Sequence, residues 1–241
     1  MRARHRHFNP AHAGASVALD GRYGFSLSDG AEVETWKDRS ANNNDATQAT
    51  SASRPIYKTG IQGGQPVVRF TPVGGQGKHI SGTNTITNDL LTAVCIFKIN
   101  TASLAYARVL TTSKNAAADT GSSLRPIPIL RNNGGNNVAS WRNAADRANI
   151  STATVDTWHH FCNTFDGTNC VNRLNESTSA TAASTGNFDI NQYRMGIAYS
   201  GGSANLDGDI GGLSIFNAAL SGSLRKRVQF ANAFSFKLSC N

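Results

Sequence analysis

The sequence predicts an all-β fold, a sandwich of antiparallel sheets. Three observations lead there. Short runs of Val, Ile, Phe, Tyr and Thr recur along the chain, each bounded by Gly, Pro, Asn or Asp. The composition is rich in Gly, Asn, Ser and Thr and poor in the Lys and Glu that extend helices. No internal repeat or break in composition divides the 241 residues, and a sandwich of that length is ordinary as one domain. A chain this long buries enough of its unfolded surface to fold without disulfides.

The elements follow in order. Residues 17–19 begin a first strand, and residues 30–36 alternate polar and apolar side chains, predicting a second that ends on Trp36. Residues 66–70, Pro-Val-Val-Arg-Phe, form a short strand between Gly-Gly and Pro. Residues 91–99 are the strongest apolar run and predict a central core strand. Residues 108–112, 128–130 and 137–141 add three short strands, the last two separated by an Asn-Asn-Gly-Gly-Asn-Asn turn signal at residues 132–137. Residues 158–165 and 170–174 flank Asp166 and Gly167 and predict a β-hairpin. A two-residue turn at Asp166-Gly167 pairs Phe165 with Thr168, and so Asn163 with Cys170. The expected core includes Trp36, Phe70, Val94, Ile96, Phe165, Ile210, Leu213 and Phe216.

Charge and cysteine usage narrow the function. The formal net charge of +8 favours acidic partners. Part of it is local: residues 1–7 form a basic arm in which Arg2, Arg4 and Arg6 alternate with Ala3 and His5, a pattern that suits docking on carboxylates of a neighbour. No basic stretch interleaved with aromatics stands out elsewhere, which disfavours nucleic acid. No apolar run reaches the ~18 residues that span a membrane, and no signal-peptide core follows the arm. Cys95, Cys162, Cys170 and Cys240 lack zinc-ligand spacing, and free thiols are favoured over a bond between Cys162 and Cys170, which that hairpin register would separate.

Glu34-Thr-Trp-Lys-Asp-Arg-Ser-Ala-Asn-Asn-Asn-Asp-Ala-Thr-Gln48, followed by Arg54-Pro-Ile-Tyr57, reads as a Trp on a short strand, an Asn-rich loop, and a strand entered through proline. This run resembles the opening of the bacterial and phage laminin-G-like domains of the concanavalin A-like superfamily. There Trp-x-Asp-x-Ser, an Asn/Gly loop, Asp-Ala-Thr-Gln and a later Pro-x-Tyr recur. A second match is residues 206–221, which resemble the family's last strand and its Asn-x-x-Leu-Ser exit into a short helix. Residues 223–230 supply that helix, with Ser221 or Ser223 as N-cap. Residues 194–198 match a further family strand. The chain departs at Glu176, where the family has Gly, and at Gly211-Gly212, where it has Ala and an acidic residue. The resemblance implies a concanavalin A-like jelly-roll sandwich over residues 8–241 with a short C-terminal helix.

Some sandwiches of that superfamily are glycoside hydrolases and need two carboxylates about 5–5.5 Å or 6.5–9.5 Å apart. The hydrolase motif Glu-x-Asp-x-x-Glu is missing, and of the three glutamates only Glu32 and Glu34 share a strand face. Asp207 and Asp209, flanking Gly208, are weak candidates for calcium beside a capping role; no other cofactor is implied. His159 and His160 are adjacent and point to opposite strand faces. Glycan sites in such folds combine amides with an aromatic platform on loops. The candidates are Asn132, Asn136, Trp141, Arg142, Tyr199 and Asn205.

The resulting expectation is a non-catalytic binding and structural module at a phage virion surface, a capsid decoration or fibre protein assembled in the host cytoplasm. Its partners would be other virion proteins and surface glycans, with self-association open. The alternatives are a lectin module at a bacterial surface and, after it, a glycoside hydrolase.

Overall fold

A computed structural model describes residues 9–73, 77–100, 107–115, 127–131, 137–142, 146–150, 154–176, 178–199 and 205–238. The strands are β1 (Val17–Asp20), β2 (Thr35–Trp36), β3 (Ala46–Thr47), β4 (Ile56–Gln62), β5 (Gln65–Phe70), β6 (Ile80–Ile86), β7 (Leu90–Ile99) and β8 (Arg108–Ser113). They continue with β9 (Ile127–Arg131), β10 (Val138–Arg142), β11 (Asp146–Ile150), β12 (Trp158–Asp166), β13 (Asn169–Leu174), β14 (Thr178–Ala183), β15 (Ile190–Met195) and β16 (Gly208–Phe216). One α-helix, α1 (Gly222–Ser235), follows. The first sheet runs β14-β13-β12-β7-β16-β5-β4, with β1 also paired to β16. The second runs β11-β10-β9-β8-β15-β6-β3-β2. All pairings are antiparallel, and side chains of both sheets share one core, so the fold is an all-β sandwich with one short helix.

The continuous apolar run of β7 has a physical reason. Leu91, Ala93, Cys95, Phe97 and Ile99 face the space between the sheets. Val94 and Ile96 face the other way, where α1 and the segment after it cover them. A strand buried on both faces loses the alternation of a half-solvated one. Val228 of α1 packs with Val94, Cys162 and Phe216, and Phe236 packs with Val67 and Ile96 and stacks on Trp158 at 6.4 Å between centroids. Ser221 caps the helix, its hydroxyl accepting from Leu224 N–H at 3.4 Å. No helix among the described residues is long and apolar enough to cross a membrane.

The Trp-x-Asp-x-Ser signature is a structural knot. Trp36 is fully buried against Phe25, with ring centroids 5.8 Å apart. Asp38, itself buried, accepts from the backbone N–H groups of Ala18 at 2.7 Å, Ser40 at 2.9 Å and Asn44 at 2.9 Å, and from the Ser40 hydroxyl. Its own N–H donates to Asp45 Oδ1 at 2.8 Å.

Several expectations are corrected. Residues 30–36 hold only the two-residue β2 and an isolated bridge from Glu32 to Ile56, because the segment changes sheets: Val33 N–H bonds Pro55 and Ala31 accepts from Tyr57 beside the first sheet, and Thr35 and Trp36 then pair with β3 of the second. The hairpin turns at Gly167 and Thr168: Phe165 pairs with Cys170 and Asn163 with Asn172. Asp166 sets this register by accepting from the N–H groups of Thr168 and Asn169 at 3.0 and 2.7 Å. Cys162 and Cys170 then fall on opposite faces, and Cys95, Cys162 and Cys170 are free thiols, with burial pushing Cys162 up to about 12. Cys240 lies outside the described residues. The strand expected at 194–198 is β15, which ends at Met195, since Gly196 turns the chain at φ 96°. The strands β6, β11 and β14 were not foreseen; between its end isoleucines β6 is an unbroken run of small and polar residues, Ser81 to Thr85, without the alternation or aromatic content that marks strands.

Packing accounts for Gly211 and Glu176. A Cβ on Gly211 would meet the Phe236 ring at 2.6 Å, so docking the segment after α1 requires glycine there. Glu176 adopts the left-handed conformation at φ 60°, beside Asn175 at φ 52°. That turn carries its carboxylate onto Arg225 of α1, which also donates to Gln229; the Glu176 and Arg225 side chains are 6% and 7% exposed.

His159 and His160 do face opposite ways: His159 lies near Phe97 inside the sandwich, and His160 is buried on the side that carries Glu176. Burial lowers the pKa of both, most strongly against the weaker opposing pull of Thr154 on His159 and Glu176 on His160. Below about pH 6.5 the unfolded chain therefore binds protons that the native state refuses, and stability falls as pH falls. The melting temperature is expected to drop between pH 7 and pH 5, and His160→Gln to flatten that slope in calorimetric scans. Trp36→Ala is expected to cost about 3–5 kcal/mol in denaturant unfolding, and all eight expected core residues are buried to 1% or less.

Candidate functional site

The register of the second sheet assembles a polar surface from residues far apart in sequence. Thr35 pairs with Thr47, Thr47 with Ser81, and Ser81 with Arg194, so these four share the outer face. One step along the strands, Gln192 pairs with Thr83, and Lys37 bridges to Asp45 at 2.6 Å. The inward residues between them, Trp36, Ala46, Ile80 and Tyr193, belong to the core. Period-two alternation thus places hydroxyls, an amide, a guanidinium and a carboxylate side by side. Asp45, Thr47, Ser81, Thr83, Gln192 and Arg194 line an open cleft of about 320 Å³.

The groups in this cleft are held in place. Arg194 Nε donates to Ser81 Oγ at 2.9 Å, and its guanidinium stacks on the Tyr199 ring at 4.0 Å. Asp45 has one oxygen on the Asp38 N–H and the other on the Lys37 ammonium. Thr83 donates to Asn44 Oδ1 at 2.9 Å, and Tyr193 OH donates to the Asn44 carbonyl at 2.7 Å. The floor is therefore tied to the same Asn-rich loop that Asp38 folds. His79 stands close enough to Arg194 to be affected by its charge; burial first and that guanidinium second lower its pKa, so it is neutral at pH 7.

The sequence candidates are distributed around this surface. Tyr199 belongs to it, as the support of Arg194. Trp141 is half-buried on β10, with the Arg108 guanidinium 5.8 Å from its ring, and alternates with the inward Ser140 on the same sheet. Asn205 is buried and packs against Gly77. Asn132, Asn136 and the arm residues Arg2, Arg4 and Arg6 lie outside the described residues, as does the side chain of Arg142. Asp209 is fully buried and holds Arg69 through both oxygens at 2.6 and 2.9 Å, while Asp207 accepts from Asn100 at 3.4 Å. No group of three or more metal-ligating side chains occurs among the described residues.

Glu32 and Glu34 do form a pair, but Arg54 stands between them, 3.6 Å from Glu32 and 3.0 Å from Glu34. The residues the sequence reading missed are Asp45, Thr47, Ser81, Thr83, Gln192 and Arg194. Their signal was the polar alternation Ser81-x-Thr83 and Gln192-x-Arg194, legible only once the strands are known to be neighbours.

No protein-family model matches the chain, and no curated protein matches it either. Solved structures do. A GH54 α-L-arabinofuranosidase soaked with a cyclic sulfate inhibitor aligns with a TM-score of 0.69 at 15% identity, covering 97% of this chain and 66% of its own. An arabinofuranosidase complexed with arabinofuranosyl-α-1,2-xylobiose aligns at 0.67 and 14%, covering 93% and 64%. Trypanosoma rangeli sialidase with sialic acid aligns at 0.54 and 15%, covering 94% of this chain and 34% of its own. The chain thus spans about a third of the sialidase. These neighbours overturn the expectation of a non-catalytic virion module without enzymatic activity: the sandwich occurs in glycosidases, and nothing among them supports a capsid or fibre role.

Because both partners of Arg54 are solvated, with 43% and 66% of the side chains exposed, Glu32→Gln and Glu34→Gln are each expected to change stability by less than about 1 kcal/mol in chemical denaturation.

Proposed function

We propose that this protein is a carbohydrate-active sandwich of the glycoside hydrolase class, built on a concanavalin A-like jelly roll, and that it takes its glycan in the cleft on the outer face of the second sheet. The observation that carries the reading is the cleft itself. It joins hydroxyl, amide and guanidinium donors to the Asp45 carboxylate, on a fold that solved arabinofuranosidases and a sialidase share. Sugar hydroxyls are recognised by fixed donors and acceptors of this kind.

The roles follow from the geometry. Ser81, Thr83, Thr47 and Gln192 bond sugar hydroxyls. Arg194 is pinned by Ser81 and Tyr199, so it orients the substrate at little entropic cost. Glycosidic cleavage passes through an oxocarbenium-like state. Water supplies the hydroxyl that bonds to the anomeric carbon and the proton taken up by the departing sugar oxygen, and Asp45, fixed by the Asp38 N–H and Lys37, supplies the negative charge that faces the oxocarbenium-like centre.

The experiment is a panel of 4-nitrophenyl glycosides, arabinofuranosides and sialosides included, run on the whole chain. Turnover of at least one is expected. Asp45→Asn should lower kcat roughly 10²-fold, while Arg194→Ala should mainly raise KM. The reading fails if no glycoside is turned over and no oligosaccharide perturbs the protein, or if turnover survives Asp45→Asn unchanged.

A further inference from the structure

Outside the first sheet, a cleft of about 170 Å³ opens where α1 begins. Its floor follows from strand register. Cys162 pairs with Arg173 and Thr164 with Val171, and alternation turns these side chains outward from the core. Its wall is Leu220, Gly222 and Arg225, the entry to α1 and its first turn. Two guanidiniums reach this cleft with donors to spare. Arg173 is half-buried and makes no hydrogen bond or ion pair among the described residues. Arg225 is buried and spends Nη1 on Glu176 and Gln229, which leaves its Nε and Nη2 without a partner among the described residues. A buried cation with unmet donors is costly until something supplies acceptors. Thr164 is 7% exposed, and its hydroxyl meets only the Cys162 thiol, at 3.8 Å. The first turn of α1 adds backbone N–H groups and contains no acidic residue.

We infer that this cleft binds a tetrahedral oxyanion, a phosphate or sulfate group, either as the free ion or carried on a sugar. The site lies outside the first sheet, apart from the glycan cleft on the second, and does not depend on that reading. The ligand follows from the donors. A phosphate or sulfate offers several acceptor oxygens around one centre, which two guanidinium edges, a hydroxyl and the first N–H groups of a helix share. Arginine suits this task because its fork is planar and always charged. Glu176 holds Arg225 by Nη1 alone, so the other edge of that guanidinium stays directed to the ligand. A water occupies about 30 Å³, so the cleft has room for such a group and for a few atoms of a carrier. Asp166 also lines the cleft, exposed, with Oδ1 accepting from the Thr168 and Asn169 N–H groups and no ion pair to either arginine. Its carboxylate opposes an anion across solvent, which gives the site a sign that can be tested.

The test titrates the full chain with sodium phosphate and, separately, with glucose-6-phosphate, in chloride buffer at fixed ionic strength, by calorimetry. Saturable binding is expected. Tighter binding of the sugar phosphate assigns the group to a carrier, and equal or tighter binding of phosphate assigns it to the free ion. Arg173→Gln should weaken binding at least tenfold. Gly222→Glu sets a carboxylate where a Cβ meets no atom within 4 Å, and should abolish binding. Asp166→Asn should strengthen it. Arg173 has no partner to lose and Gly222 has open space, so melting curves without phosphate should match the unmodified protein. Asp45→Asn should spare phosphate binding, and Arg173→Gln should spare glycoside turnover, so the two sites fail separately. The inference is overturned if neither compound binds saturably at millimolar concentration. It is also overturned if Arg173→Gln or Gly222→Glu binds as tightly as the unmodified protein, or if Asp166→Asn binds more weakly.

Discussion

A single buried carboxylate holds the arrangement together. Asp38 gathers N–H groups from β1, from the Ser40 turn and from the Asn44 loop, segments that the Ser16 carbonyl also ties together by accepting from Ser40, Asn42 and Asn44. A buried charge is tolerable when donors surround it, and removing it would leave those donors stranded at once. Its effect is directional. It brings the first strand of one sheet to the loop that lies under the other, and that loop then fixes Asp45 and supports Tyr193. The cleft is thus rigid because its floor is made of backbone already locked for structural reasons.

The sandwich was legible because its signals are local. Strand spacing, the continuous run of β7 and the Trp36 signature all act within a few residues, and the core side chains follow from them. The cleft was not legible, since it exists only across strands: Thr35, Thr47, Ser81 and Arg194 are adjacent through hydrogen-bonded register, which sequence does not display. The hairpin shows the same limit on a small scale. Asp166-Gly167 reads as the turn, yet Asp166 caps the two residues beyond Gly167 and moves the pairing by two positions. The misplaced expectation of function has a related origin. The absence of the Glu-x-Asp-x-x-Glu motif was read as absence of chemistry, although the same sandwich occurs in solved arabinofuranosidases.

Polar groups divide the molecule into two unlike surfaces. In the cleft on the second sheet, hydroxyls and an amide stand beside Arg194 and the Asp45 carboxylate. Outside the first sheet, guanidiniums and aromatic rings dominate, and the carboxylates Asp20, Asp209 and Glu176 each face a cation of the protein. Glu176 illustrates how such pairing is obtained. A residue usually better served by glycine takes the left-handed turn, and the strain is offset because the turn delivers its carboxylate to Arg225, anchoring α1.

The position of β16 bears on how the chain is made. It sits between β7 on one side and β5 and β1 on the other, and Ser16 bonds the Ile215 carbonyl across 199 positions of sequence. During synthesis, the strand that completes the middle of the first sheet is therefore made after every strand it joins. Before then, β7 and β5 have open edges and an apolar face without its cover, so completing the sheet is a late, long-range event. Until β16 is made the first sheet is unfinished, dependent on whatever shields exposed strands in the cell.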